Sequence, residues 1–291
     1  MTIDCNNKYF QVKVNNRWKG RTLYDLYRWA YTPWDWHNDL KEYAEKKGLL
    51  FFSTPFDETA VNFLEELNVQ LYKIASFELN HIPLIKKIAK TRKPVIISRG
   101  LSSIEDIDLA VKTLKENGCP AVAVLHCISS YPAKPEQMNL KTIMDISKRF
   151  DVIAGLSDHT LTTEIAIASV ALGASIIEKH LTLARDKGGP DSAFSLEPSE
   201  FKCLVKSIRT VEKAIGKVTY DSSDKEKENI VFRRSIFVVK DIKKGEQFDK
   251  NNIRVIRPGH GMHPKFYEEI IGNKAKRDLE RGTPLNKEDI K

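Results

Sequence analysis

From residue 49 to 216 the chain alternates short apolar runs with amphipathic segments. The apolar runs fall at 49–52, 71–75, 94–98, 121–127, 152–156 and 174–178. They recur at intervals of roughly 25 residues, the spacing of parallel strands joined by crossover helices. Their near-continuous apolar character predicts strands buried on both faces. The segments between them read as helices. Ser102 followed by Glu105 predicts a capping box, and Gly118 follows the last turn of that helix. Phe201, Leu204, Val205, Ile208, Val211 and Ile215 form one apolar face at helical spacing, with Gly216 as the stop. Six strand–helix units follow.

The flanks have a different texture. Residues 219–229 centre on a polar, charged stretch (220–228) that reads as a linker. Beyond it, 235–239 is a β-type run, 243–245 and 257–259 are turn-like, and only 264–271 looks helical. Residues 230–291 are therefore predicted to be a small, mostly β domain, and residues 1–218 the larger one. The first 48 residues are rich in Trp and Tyr, turn-like at 15–16 and 32–33 and helical over 38–47.

Six parallel units fit either an open doubly wound sheet or part of an eight-stranded barrel. No GxGxxG or P-loop follows any strand, which weakens the nucleotide-binding sheet. Polar residues sit instead at the strand ends: Thr54, Lys73 with Ser76, Ser98, Ser129, Ser157 with His159, and His180. In a barrel those ends converge on one mouth, where such folds keep their chemistry.

The 291 residues, 41% apolar and 30% charged, are ample for a buried core. No stretch approaches the ~18–20 apolar residues of a membrane span, and the N-terminus lacks the order of a secretory signal. Cys5, Cys119, Cys127 and Cys203 form no CxxC pair, so a reduced, cytoplasmic protein is expected. Lysine and arginine number 47 against 39 acids, a formal charge of +8. The basic residues are spread along the chain without aromatic interleaving, so no nucleic-acid partner is expected and anionic small molecules fit better.

Three constellations carry chemistry. His159 and His180 end successive strand runs, so neighbouring strands present both imidazoles to one point. Two histidines with open positions suit manganese, iron, zinc or cobalt; two structural histidines bonding loop carbonyls are the alternative. Lys73 lies inside an apolar strand, where a charge is expensive unless it points at a partner. With Thr54, Ser76, Ser98 and Ser157 it makes a cradle for a phosphate or carboxylate. The other reading has Lys73 snorkelling to the rim while the hydroxyls cap helices. Third, Tyr131, before Pro132, either reaches into the mouth or packs on its rim. Glu78 is a candidate acid, although a solvated loop carboxylate fits it better on sequence alone, and Asp191 lies in a glycine-rich loop after the last strand. His260 and His263 lack a third ligand and suggest no metal site.

The motifs FSTPFD, YKIAS, ISRG, LHCISSYP, GLSDHT, EKHLT, GPDSAFS, RRSI and RPGHGMHP together resemble the sialic acid synthase family, over nearly the whole chain. The opening YDLYRWAYTPWDWH and the ending NKAKRDLERGTPL are more similar to its pseudaminic acid synthase branch than to its N-acetylneuraminate branch. The resemblance implies a TIM (β/α)8-type barrel, a linker and a C-terminal antifreeze-like (SAF) domain in a domain-swapped homodimer. It implies condensation of phosphoenolpyruvate with an N-acyl amino sugar. His159 and His180 would bind a divalent metal, manganese by family habit, with magnesium or cobalt as alternatives. Thr54, Lys73, Ser98, Ser129, Tyr131 and Ser157 would hold phosphoenolpyruvate. Glu78 and Asp191 would contact the sugar, and Arg257 would come from the other subunit. N-acetylneuraminate or legionaminate synthesis is the alternative activity.

Two departures stand out. Arg99 occupies a place where the family usually has threonine. The first two strands of the family barrel, with a glutamate and a lysine of its site, have no counterpart before MTIDCNNKYF, roughly 50 residues at about 25 per unit. The expectation is a barrel lacking those strands, an incomplete mouth and open edges, as from a truncated or mis-started gene product. An inactive sugar-binding fragment is the corresponding alternative.

Overall fold

Five parallel strands form the central sheet in the computed structural model, which describes residues 1–13 and 18–291; the turn predicted at 15–16 lies outside the described residues. The strands are β1 (Tyr72–Ile74), β2 (Val95–Arg99), β3 (Val122–Cys127), β4 (Ile153–Asp158) and β5 (Ile176–Lys179), paired in chain order. Helices α1 (Leu23–Ala30), α2 (His37–Lys46) and α3 (Glu58–Glu66) precede the sheet. The crossovers are α4 (Ile82–Ala89), α5 (Ile104–Glu116), α6 (Thr142–Phe150) and α7 (Glu164–Ala171), and α8 (Pro198–Ile215) follows β5. These elements belong to a compact unit spanning Met1–Gly216.

Alternation along each strand divides the sheet into two faces. Tyr72, Ile74, Val95, Ile97, Val122, Val124, Ala154 and Leu156 point outward into a core shared with Leu84, Ile88, Leu114, Ile143 and Ile146 of the helices. Each buried large aliphatic there contributes about 1.5–3 kcal/mol. The other face carries Lys73, Ser98, Leu125, Cys127, Ser157 and Glu178. In a flat sheet β1 and β5 would lie about 19 Å apart at roughly 4.8 Å per strand. Yet Lys73 Nζ on β1 is 3.4 Å from Glu178 Oε2 on β5. The sheet is therefore curled, a half-barrel with its concave face lined by polar residues.

Three local expectations are corrected. Residues 49–52 form no strand, so the sheet has five strands and not six. Among the described residues their one backbone hydrogen bond is Leu49 N–H to Ala44 O, which closes α2. Phe51 packs on the core while Leu49 and Leu50 are exposed, so an apolar run here has no ladder to join. The capping box of α5 is Ser103 with Asp106, one residue beyond the predicted pair: Ser103 Oγ accepts from Asp106 N–H, and the Asp106 carboxylate accepts from Ser103 N–H. On α8 the buried stripe is narrower than predicted. Phe201, Leu204 and Ile208 pack against Ala166 and Leu196, whereas Val205 and Ile215 are exposed.

The second unit spans Lys217–Lys291. The predicted linker contains a short helix, α9 (Asp224–Lys227), opened by a Ser223–Glu226 capping box. Strands β6 (Ser235–Val238) and β7 (Ile253–Ile256) pair antiparallel, and isolated bridges such as Ile242 with Leu279 extend the β texture. The predicted helix over 264–271 is a 3₁₀ turn, Pro264–Phe266, leading into α10 (Tyr267–Ile270). Ile236, Val238, Ile242, Phe248, Ile253 and Leu285 make its own core. Among the described residues no helix is long and apolar enough to cross a membrane.

Candidate active site

Lys73 is the middle residue of β1 and only 5% exposed. Its ammonium donates to Ile74 O at 3.1 Å and faces Glu178, so it points into the concave face and does not snorkel to the rim. Glu178 also accepts a hydrogen bond from Ser157 Oγ at 2.6 Å. Ser157 is the register partner of Glu178 on one side and of Cys127 on the other, so three neighbouring strands bring this row together. Ser76 and Ser129 approach to 3.0 Å between their hydroxyls. Ser98 Oγ is buried without a partner among the described residues, a hydroxyl still able to bond a ligand.

Gly100 makes the Ser76–Ser129 approach possible. A Cβ there would stand 2.1 Å from Ser129 Oγ and 2.9 Å from Ser76 Cβ. Gly100→Ala is expected to separate the two hydroxyls and raise the KM for an anionic substrate bound in this cradle by about tenfold, the scale of one lost hydrogen bond in a buried site. Steady-state kinetics check it, and an unchanged KM contradicts the cradle.

Glu78 closes the 3₁₀ turn Ser76–Glu78 directly after β1. Its Oε2 is buried with no partner among the described residues. Burial pushes the carboxyl up to about 7, against the opposing pull of a backbone hydrogen bond and of Lys73. The solvated-loop reading is thereby replaced by a group poised between acid and base. A folded value raised above the ordinary 4.5 means that the native state binds the extra proton across that interval. Stability from this group is therefore lost as pH rises from near 4.5 through about 7. Glu78→Gln is expected to gain stability over the wild type at pH ~8 and little at pH ~5. Urea midpoints at the two pH values measure this; a gain equal at both contradicts it.

His159 follows β4, is 5% exposed, and has Nδ1 3.0 Å from Ile128 O. A carbonyl only accepts, so Nδ1 carries the proton and Nε2 presents its lone pair. His180 follows β5, its ring centroid 5.2 Å from that of His159 and its Nδ1 3.6 Å from Asp191 Oδ2. Burial lowers both imidazoles below the ordinary histidine range and keeps them neutral, the form that ligates metals. The Asp191 carboxyl is pushed up by burial, opposed by His159. Among the described residues no group of three or more His, Cys, Asp or Glu could hold an ion. What this end of the sheet offers is two neutral imidazoles, and a divalent cation held by them would take its remaining ligands from water or substrate.

Aromatic rings wall this pair. Tyr131 lies 4.5 Å from His159 and 5.2 Å from Phe194 between centroids, and Phe194 is 5.0 Å from His180. Burial pushes the Tyr131 phenol above its ordinary range, so it stays a neutral donor. Trp18 packs on Tyr131 at 5.7 Å and donates its indole N–H to Pro190 O. Sequence reasoning missed Glu178, Phe194 and Trp18 as site residues. A carboxylate closing an apolar strand run was the available signal for Glu178; the other two had none. Thr54 is half-buried, and no side-chain hydrogen bond ties it to this group among the described residues. Arg257 is exposed directly after β7 in the second unit. His263 Nδ1 accepts from Lys265 N–H, a local cap.

A curled parallel sheet with its polar groups gathered at the C-terminal strand ends defines the working end of a TIM-barrel-type enzyme. The chain belongs to the NeuB family, whose model matches residues 1–220, and carries a SAF domain at residues 233–291. It is 40% identical over 291 residues to the pseudaminic acid synthase of Campylobacter jejuni strain 81-176, covering 100% of this chain and 84% of that protein. It is 41% identical to the pseudaminic acid synthase of Helicobacter pylori, covering 100% and 85%. Among solved structures, the N-acetylneuraminic acid synthetase of Leptospira borgpetersenii superposes with a TM-score of 0.65 at 37% identity, over 69% of this chain and 70% of that one.

Proposed function

We propose that the chain is a pseudaminic acid synthase, condensing phosphoenolpyruvate with 2,4-diacetamido-2,4,6-trideoxy-altrose to give pseudaminic acid and phosphate. The observation that supports this most is a buried ammonium held against Glu178 of β5, two residues before His180, which pairs with His159, in a chain similar from end to end to such synthases.

The Lys73 ammonium, held by Glu178, and the hydroxyls of Ser76, Ser98, Ser129 and Ser157 bind the phosphate and carboxylate of phosphoenolpyruvate. His159 and His180 would hold a divalent metal, manganese in this reading, which would supply polarisation of the open-chain aldehyde. Tyr131, Phe194 and Trp18 exclude water from one side. The third carbon of phosphoenolpyruvate attacks the aldehyde carbon, and the carbonyl electron pair moves to its oxygen. Glu78, near neutrality, delivers the proton that makes that oxygen a hydroxyl. Water adds to the cationic second carbon and loses a proton. The C–O bond to phosphate then breaks with its electron pair leaving on phosphate, and the ketone forms as the remaining hydroxyl loses its proton. Lys73 stabilises the leaving charge, and Asp191 positions the sugar. In this reading the protein works in the cytoplasm as a homodimer, with Arg257 of the partner subunit completing the mouth.

The test offers phosphoenolpyruvate with this sugar, and separately with the amino sugars leading to N-acetylneuraminate and legionaminate, and follows phosphate release. Turnover with the altrose alone is expected; preference for another sugar overturns the substrate assignment.

A further inference from the structure

A second polar concavity opens behind the sheet, on the face opposite Lys73. It is a cleft of about 530 Å³ lined by Arg99, His126, Asn139, Lys141 and Thr142, with Ile128 and Leu140 as its apolar part. Arg99 at the end of β2 and His126 on β3 are register partners, so their side chains leave the same, helix-facing side of the sheet. Lys141 and Thr142 bring in the N-terminus of α6, which no side chain caps. Its one early acid, Asp145, is paired with Arg149. Among the described residues no carboxylate lines the cleft.

Two of these groups are buried with no partner among the described residues: Arg99 Nε and His126 Nδ1, the histidine being 1% exposed. Such orphans are costly unless a ligand satisfies them. Their chemistry differs. The Arg99 guanidinium only donates. His126 Nε2 bonds Met138 O, and since a carbonyl only accepts, Nε2 carries the proton and Nδ1 offers a lone pair. The cleft therefore presents guanidinium, ammonium and hydroxyl donors, a positive helix end, and one acceptor. Its complement is an oxyanion that also carries an O–H.

We propose that this cleft is a binding site for inorganic phosphate, separate from the barrel mouth, with Arg99, Lys141 and the α6 N-terminus taking the charge and His126 Nδ1 accepting a P–O–H. Inorganic phosphate keeps such a proton throughout the neutral range. Sulfate has none, and a phosphate monoester has lost its own by mildly alkaline pH; either would set lone pair against lone pair at Nδ1.

Calorimetric titration at pH ~8 of the full chain with inorganic phosphate, sulfate and methyl phosphate tests this. Titrating Lys73→Met alongside separates binding at the mouth. One phosphate per chain is expected to remain in Lys73→Met, with sulfate and methyl phosphate at least about tenfold weaker. Arg99→Thr is expected to abolish this binding, and Lys141→Ala, an exposed and readily tolerated change, to weaken it severalfold. Equal affinity for phosphate and sulfate, no binding to Lys73→Met, or full binding in Lys141→Ala overturns the proposal, the last even if Arg99→Thr fails to fold.

Discussion

Lys73→Met is expected to lower kcat/KM for phosphoenolpyruvate by roughly 10²–10³-fold, the scale of losing one preorganised charge from an oxyanion site. The substitution keeps the stem in the concave face and removes only the ammonium that faces Glu178 at 3.4 Å. The Glu178 side chain is 39% exposed and can rehydrate when its partner is gone, so the fold is expected to survive. Both kcat and KM move in this account, because the same charge binds the ground state and stabilises departing phosphate. Steady-state kinetics beside circular dichroism decide it. Activity within about twofold of wild type in a folded Lys73→Met protein removes the cradle from the mechanism.

His159→Ala is the second large effect. Its Nε2 lone pair, set by the Nδ1–H bond to Ile128 O, is the better-defined of the two donors. Loss of turnover by about 10³-fold or more is expected, the several kcat decades that polarising a carbonyl supplies. Manganese affinity, read by electron paramagnetic resonance, is expected to fall with it while the fold persists. His180→Ala is expected to behave alike, since the rings lie 5.2 Å apart and would serve together as the proposed donor pair. Full turnover in His159→Ala with a chelator present contradicts the metal role.

The strands were legible where an apolar run also had a neighbour to pair with. Runs 71–75, 94–98, 121–127, 152–156 and 174–178 each contain or overlap a strand, but 49–52 shows that apolarity alone does not make a ladder. A strand is a property of two chains of hydrogen bonds, and its partner is invisible in a local window. The same holds at the site. Lys73 and the two histidines stood out because a charge in an apolar run and two strand-end imidazoles are locally anomalous. Their meeting required the curl of the sheet, which shows only in the contact between β1 and β5. Glu178 lay in plain view as the end of a run, yet its role depends on Lys73, over a hundred residues away. Phe194 and Trp18 are ordinary aromatics until the loops fold over the mouth. The Arg99–His126 pairing likewise emerges only from register.

The most direct test is a crystal of the full chain grown with manganese and phosphoenolpyruvate, with the metal located by its anomalous signal. The account predicts a manganese peak between His159 and His180 and the phosphate of the substrate against Lys73, all at one end of the curled sheet. A metal bound elsewhere, or phosphoenolpyruvate bound away from Lys73, contradicts it.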